Sequence, residues 1–202
     1  MHTTYFILAI LLLFASCKTQ VESNYSLRAD EYEIYSMIID NYYPPLARET
    51  VSSIGIYYET IVGEWVESKT LCVVQRIGNK WVYTDSTSKD ASSILRRFST
   101  SGDYNSTDSS FVVNSTKGVT FDSAAFHLRS RHRLVQADKR GWINIPPDST
   151  LRGVVMFSRI GFDTKRTEAL VFFVEGRDEG LSMNLLLKKV DSRWEIINGI
   201  CK

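Results

Sequence analysis

The chain has little of what announces a reaction. Only three His and three Cys occur among 202 residues. There is no H-E-x-x-H and no C-x-x-C, so no spacing typical of a metal site is present. G-x-S-x-G is missing, and with it the nucleophile elbow of many hydrolases. Neither a Walker A loop nor G-x-G-x-x-G is found, so the common phosphate and dinucleotide cradles are excluded. The acids are scattered, and no carboxylate pair stands out. Net charge is also lacking: 24 Lys+Arg against 23 Asp+Glu leave +1. A bulk nucleic-acid binder needs many basic groups to displace counterions, so no nucleic-acid partner is expected. With 44% apolar residues the chain is no disordered, solvating acid either. At this length it can bury roughly 70% of its unfolded surface, and it needs no disulfide framework to fold.

A membrane-spanning run is absent too. Residues 5–15 (YFILAILLLFA) are unbroken apolar, but as a helix they reach about 16 Å, half of the roughly 30 Å bilayer core. The length suits the h-region of a secretory signal. The string Phe14-Ala15-Ser16-Cys17 that follows resembles the lipobox of bacterial lipoproteins. That resemblance implies acylation of the Cys17 thiol, cleavage after Ser16, and a mature chain that begins at Cys17. The match departs from the family pattern twice: Met1-His2-Thr3-Thr4 carries no Lys or Arg, and Phe14 stands where Leu is commonest. The alternative is a buried N-terminal helix with an incidental Cys. The polar stretch Lys18–Ser26 reads as a flexible tether. Residues 1–16 are therefore expected to be a signal peptide, 17–26 a tether, and 27–202 a single domain. Cys72 and Cys201 remain. An oxidising envelope would permit a bridge between them, whereas Cys72 in an apolar run can also be a small buried hydrophobe.

Apolar periodicity organises the rest. Ile34, Tyr35, Ile38, Ile39 and Tyr42 recur at helical steps from Asp30 to Tyr42, Asp30 and Glu33 have capping-box spacing, and Pro44-Pro45 ends the run. Ile54–Ile61, Thr70–Ile77 and Trp81–Tyr83 read as strands, with Gly78-Asn79 turning between the last two. Ala91–Phe98 suits a short helix. Ser99–Gly118 is dominated by Ser, Thr, Asn, Gly and Asp, and predicts a long surface loop. Asp122–Leu134 fits either a strand or the start of a helix, and Trp142–Thr150 reads as a connector. Four strand-like runs close the chain: Val154–Phe162, Glu168–Glu175, Leu181–Val190 and Arg193–Asn198. Their short connections imply antiparallel neighbours. Several are apolar on both faces (Leu170 and Val171; Leu185 and Leu186), so both faces should be covered. The expected architecture is α+β: an N-terminal helix packed on an antiparallel sheet that ends in a four-stranded meander.

Glu31-Tyr32-Glu33-Ile34-Tyr35-Ser36, Ser158-Arg159-Ile160-Gly161-Phe162, Ala169-Leu170-Val171, Leu186-Leu187-Lys188-Lys189 and Trp194 follow one another in an order that resembles an uncharacterised family of Bacteroidetes-type bacterial lipoproteins. Those proteins carry an E-Y-x-x-Y-S helix and an S-R-x-G-F, A-L-V, L-x-K, W sheet. The likeness covers both ends of the chain, and only loosely residues 50–140. It implies a fold and an envelope address, but no activity.

Few residues invite a chemical role. His127 and His132 are spaced for neither a shared helix face nor a shared strand face. Arg129, Arg131 and Arg133 alternate. On a strand they would share one face and could meet an anionic glycan, a lipid headgroup or a protein partner; equally, they could form a solvated face. Arg159 is a charge in an apolar strand; if buried it needs a carboxylate, for which Glu168 across the hairpin is the favoured candidate, the alternative being a ligand-binding Arg. No catalytic residue, metal ligand or cofactor is nominated. The expected role is a membrane-anchored envelope lipoprotein with a non-catalytic binding or structural domain. The rivals are an envelope hydrolase whose site is assembled from distant residues, and an immunity or inhibitor protein.

Overall fold

The computed structural model describes residues 26–44, 52–57, 59–61, 71–77, 80–86, 90–116, 118–137, 151–175 and 181–201. The expected signal, Cys17, nearly all of the expected tether, the turns expected at 78–79 and 176–180, and the connector expected at 142–150 lie outside them.

Three helices and nine strands are present among the described residues: α1 (Ala29–Tyr42), β1 (Ser53–Tyr57), β2 (Leu71–Ile77), β3 (Lys80–Ser86), α2 (Ala91–Arg96), α3 (Tyr104–Asn114), β4 (Arg133–Ala137), β5 (Leu151–Phe157), β6 (Gly161–Phe162), β7 (Glu168–Glu175), β8 (Leu181–Val190) and β9 (Arg193–Cys201). The strands form one sheet in the order β3-β2-β9-β8-β7-β5-β1-β4, with β6 paired to β7 off this path. The class is α+β, but the sheet is mixed rather than antiparallel. β1 runs parallel to both β4 and β5. These pairings join segments far apart in sequence, and such long crossovers leave no turn signal. The short connections do give antiparallel pairs, β5·β7, β7·β8 and β8·β9. Asp191 and Ser192 turn β8 into β9, both at positive φ as a tight two-residue hairpin requires.

The sheet separates two apolar clusters, and strand parity assigns side chains to each. Ala169, Val171 and Phe173 of β7 pack with Ile34, Tyr35, Ile38 and Ile39 of α1. Leu170 and Phe172 point the other way, to Ile94 and Leu95 of α2 and to Tyr104 and Phe111 of α3. The order is therefore α1, sheet, α2 with α3. Edge-to-face contacts of Tyr32 with Phe121 and Phe126, and of Tyr35 with Phe121, seal the α1 side. Those two Phe flank a short 3-10 turn, Ser123–Ala125, capped by the Asp122 carboxylate. The 122–134 segment is thus neither a strand nor an α-helix along most of its length.

The segment expected to be a surface loop, 99–118, contains α3. Its Ser, Thr and Asn residues have modest helix propensity. Burial of Tyr104, Thr107 and Phe111 on one face decides the conformation instead. Gly161 makes the approach possible: a Cβ there would lie 2.2 Å from the Phe111 nitrogen.

The capping of α1 also differs from the expected Asp30/Glu33 pair. Glu31 reaches back to the Arg28 N–H (3.1 Å), Glu33 is exposed, and Asp30 turns to Arg166. The helix starts at Ala29, so the residue placed to reach back is two positions earlier than the sequence suggested.

Candidate functional site

Arg159 follows β5, where the chain leaves the ladder for two residues before β6. Ser158 repairs that break. Its N–H bonds to the Phe172 carbonyl, its Oγ accepts from the Phe172 N–H, and its own carbonyl takes the Tyr35 hydroxyl at 2.9 Å. The detour frees Arg159 to turn to the start of α1. There its Nε and Nη2 donate to the two oxygens of Glu31, at 3.4 and 3.2 Å. Glu31 is 1% exposed and Arg159 13%.

Glu168 is not the partner of Arg159. It shares strand parity with Leu170 and Phe172 and lies on the opposite side of the sheet. There its buried carboxylate accepts from Ser99 Oγ (2.8 Å), the Thr100 N–H (3.1 Å) and the Ser101 N–H (3.4 Å). Backbone and hydroxyl donors stand in for a cation, and the segment before α3 is pinned to the sheet.

A third chain segment completes the site. In the loop between β6 and β7, the Asp163 carboxylate collects the N–H groups of Thr167 and Glu168. Arg166 takes a left-handed φ of 54° within it. Its guanidinium lies 3.7 Å from the centroid of the Phe162 ring, and its Nε donates to Asp30 at 2.7 Å. Arg28, Arg159 and Arg166 thus surround one cavity of about 200 Å³, closed by Ser26, Glu31, Asn114, Ile160 and Phe162. Asn114 at the end of α3 donates to the Ile160 carbonyl (2.8 Å) and fixes that wall. Two of the guanidiniums are balanced by carboxylates. Arg28 has no ion-pair partner among the described residues. Sequence reasoning singled out Arg159 alone; Arg28 and Arg166 sit in unremarkable polar stretches, and only the fold brings them beside it.

The arginine triplet is not assembled as expected. Arg129, Arg131 and Arg133 are all exposed, but only Arg133 is on a strand, at the start of edge strand β4. The Asp40 carboxylate of α1 accepts the N–H groups of Arg129 (2.7 Å) and Ser130 (3.0 Å) and so turns the backbone there. A shallower cavity of about 250 Å³ lies beside that turn, lined by Met37, Asp40, Asn41, Arg129 and Ser130.

The two His residues have separate attachments. His127 is exposed, and its N–H bonds to Ser36 Oγ. The His132 ring bridges Ser52 Oγ and the Tyr43 carbonyl, both at 2.6 Å. A carbonyl only accepts, so Nε2 carries a proton, and in the neutral ring Nδ1 then accepts from Ser52. This is a Ser–His contact with a carbonyl in place of an acid, and Ser52 itself is buried. It ties the starts of β1 and β4 together. Among the described residues no group of three or more His, Cys, Asp or Glu is placed to hold a metal ion.

Cys72 and Cys201 occupy paired positions of β2 and β9, and the structure joins them in a disulfide with Cα atoms 5.1 Å apart. That spacing is ordinary for such a bond.

No family model matches the chain, and searches of curated proteins and of solved structures find no match either.

Proposed function

We propose that the protein is a bacterial envelope lipoprotein, anchored through an acylated Cys17, whose α+β domain binds a partner without catalysing a reaction. The observation that carries this reading is the apolar run at 5–15 followed by Phe14-Ala15-Ser16-Cys17 and a polar tether. Each acyl CH₂ buried contributes about 0.8 kcal/mol, so two or more chains hold a protein on a bilayer stably. Among the described residues no helix is long and apolar enough to cross a membrane. A disulfide between Cys72 and Cys201 suits the same oxidising compartment. The helix packed on a sheet that ends in the β5, β7, β8, β9 meander serves as a rigid platform, and the arginine-lined cavity is the binding feature it carries.

Metabolic labelling with a palmitate analogue, followed by membrane fractionation, tests the anchor. The wild-type protein should carry label and sediment with membranes; Cys17→Ala should lose both. Unchanged membrane association of Cys17→Ala overturns the reading.

A further inference from the structure

We propose that the cavity between the start of α1 and the β6–β7 loop binds a phosphate-type anion, of the kind a glycerophosphate headgroup presents. The internal charges set the sign. Both oxygens of Glu31 are engaged, by Arg159 and by the Arg28 N–H. Asp30 gives its Oδ2 to Arg166, while its Oδ1 is buried without a partner and does not line the cavity. No lining carboxylate remains open to attract a cation. Donors do remain. Arg28 is exposed and without an acidic partner among the described residues, and Arg159 uses only its Nε and one terminal nitrogen on Glu31. The positive end of the α1 dipole adds to the same field. Guanidinium groups match phosphate oxygens in geometry as well as charge.

The size and lining point to an ester rather than a bare ion. About 200 Å³ exceeds what one phosphate group fills, and the lining is mainly polar, with Ile160 and Phe162 buried behind the arginines, so the room left suits the hydroxyl-bearing carbons of a glycerol ester. The source of the ester rests on the anchor reading. Ser26, the first described residue, is on the cavity's wall. A fully extended stretch from Cys17 to Ser26 reaches roughly 30 Å, so the cavity would stay near the membrane surface.

The test uses the full chain in mild detergent, titrated calorimetrically with glycerol 3-phosphate. Saturable one-to-one binding is expected. Arg28→Gln, at an exposed position, should weaken it roughly tenfold or more. Asp30→Asn should tighten it, because it frees Arg166; a merely structural role for Asp30 predicts weakening. Micelles doped with phosphatidylglycerol or with phosphatidylcholine distinguish the sources. Tighter binding to the anionic lipid than to glycerol 3-phosphate supports the headgroup. Binding of glycerol 3-phosphate with none to phosphatidylglycerol overturns the headgroup in favour of a soluble ester. No saturable binding to any of these probes, or equal affinity in Arg28→Gln, overturns the proposal. Failure of the anchor shows separately, in the fractionation of Cys17→Ala.

Discussion

At the Arg159–Glu31 pair, removing one member carries a penalty that removing both does not. A buried pair contributes little net stability, because desolvation offsets attraction, but losing one member strands a charge. Arg159→Leu should therefore cost about 3–5 kcal/mol in urea denaturation. The double variant Arg159→Leu/Glu31→Leu should recover much of that loss, and equal losses in single and double variants would show that the pair is not coupled. The buried tyrosines make a pH prediction. Burial raises the pKa of the Tyr35 hydroxyl well above its ordinary value near 10.0, and Tyr42, Tyr43 and Tyr104 are raised for the same reason. Protonated tyrosines are thus favoured in the folded state. Their contribution is complete below about pH 10 and is lost as pH rises above it, because the unfolded chain then binds fewer protons. Phenolate absorbance on alkaline titration should appear together with loss of the folded circular dichroism signal. Full ionisation without unfolding would contradict this. At this scale, the oddity of Arg159 was legible in the sequence but its partner was not. Glu168 is the nearer acid along the hairpin, and strand parity sends it to the other face.

Among the elements, α3 depends most on tertiary contacts. Its composition does not support a helix alone, and its hold on the sheet comes from Tyr104, Thr107 and Phe111. Phe111→Ala should cost about 3–5 kcal/mol. Gly161→Ala should destabilise by at least about 1–3 kcal/mol, because the added methyl meets helix backbone at 2.2–2.4 Å rather than a side chain able to move. In both variants amide exchange across 104–114 should rise more than in α1, and equal protection of the two helices would refute this account of α3. The helix α1 was legible from its helical period, and the β7, β8 and β9 strands from short apolar runs bounded by turn signals. The helix α3 was not, because three buried side chains in a polar segment look like chance until the opposing surface is known.

For the whole molecule, two features can be tested without knowing a ligand. The Cys72–Cys201 bond closes a long loop, with 129 residues of separation, and ties the β2–β3 edge to the last strand. Reduction, or Cys72→Ala, should lower stability by about 2–5 kcal/mol, with exchange rising first in β2 and β3. Reductant should have no effect on the Cys72→Ala variant. The near-zero net charge gives the proposed anchor a second test. A protein held by acyl chains should stay in the membrane fraction through a wash at about 1 M salt, which shrinks the Debye length to about 3 Å, whereas one held by a basic surface should wash off. Release by salt would count against the anchor.

Local order in the chain was enough for the fold class, the principal helix, the strands of the final meander and the need to cover both sheet faces. Helical period and short turns act between residues a few positions apart, and they survive in a linear reading; the cap of α1 did not, since it falls at Arg28 and Glu31 rather than at Asp30 and Glu33. The parallel pairing of β1 with β4 and β5, the helix in the polar middle and the convergence of Arg28, Arg159 and Arg166 on one cavity were decided by tertiary structure. Each of these joins residues separated by tens to more than a hundred positions. Their energies depend on what faces them across the fold, and no property of the separate segments encodes that.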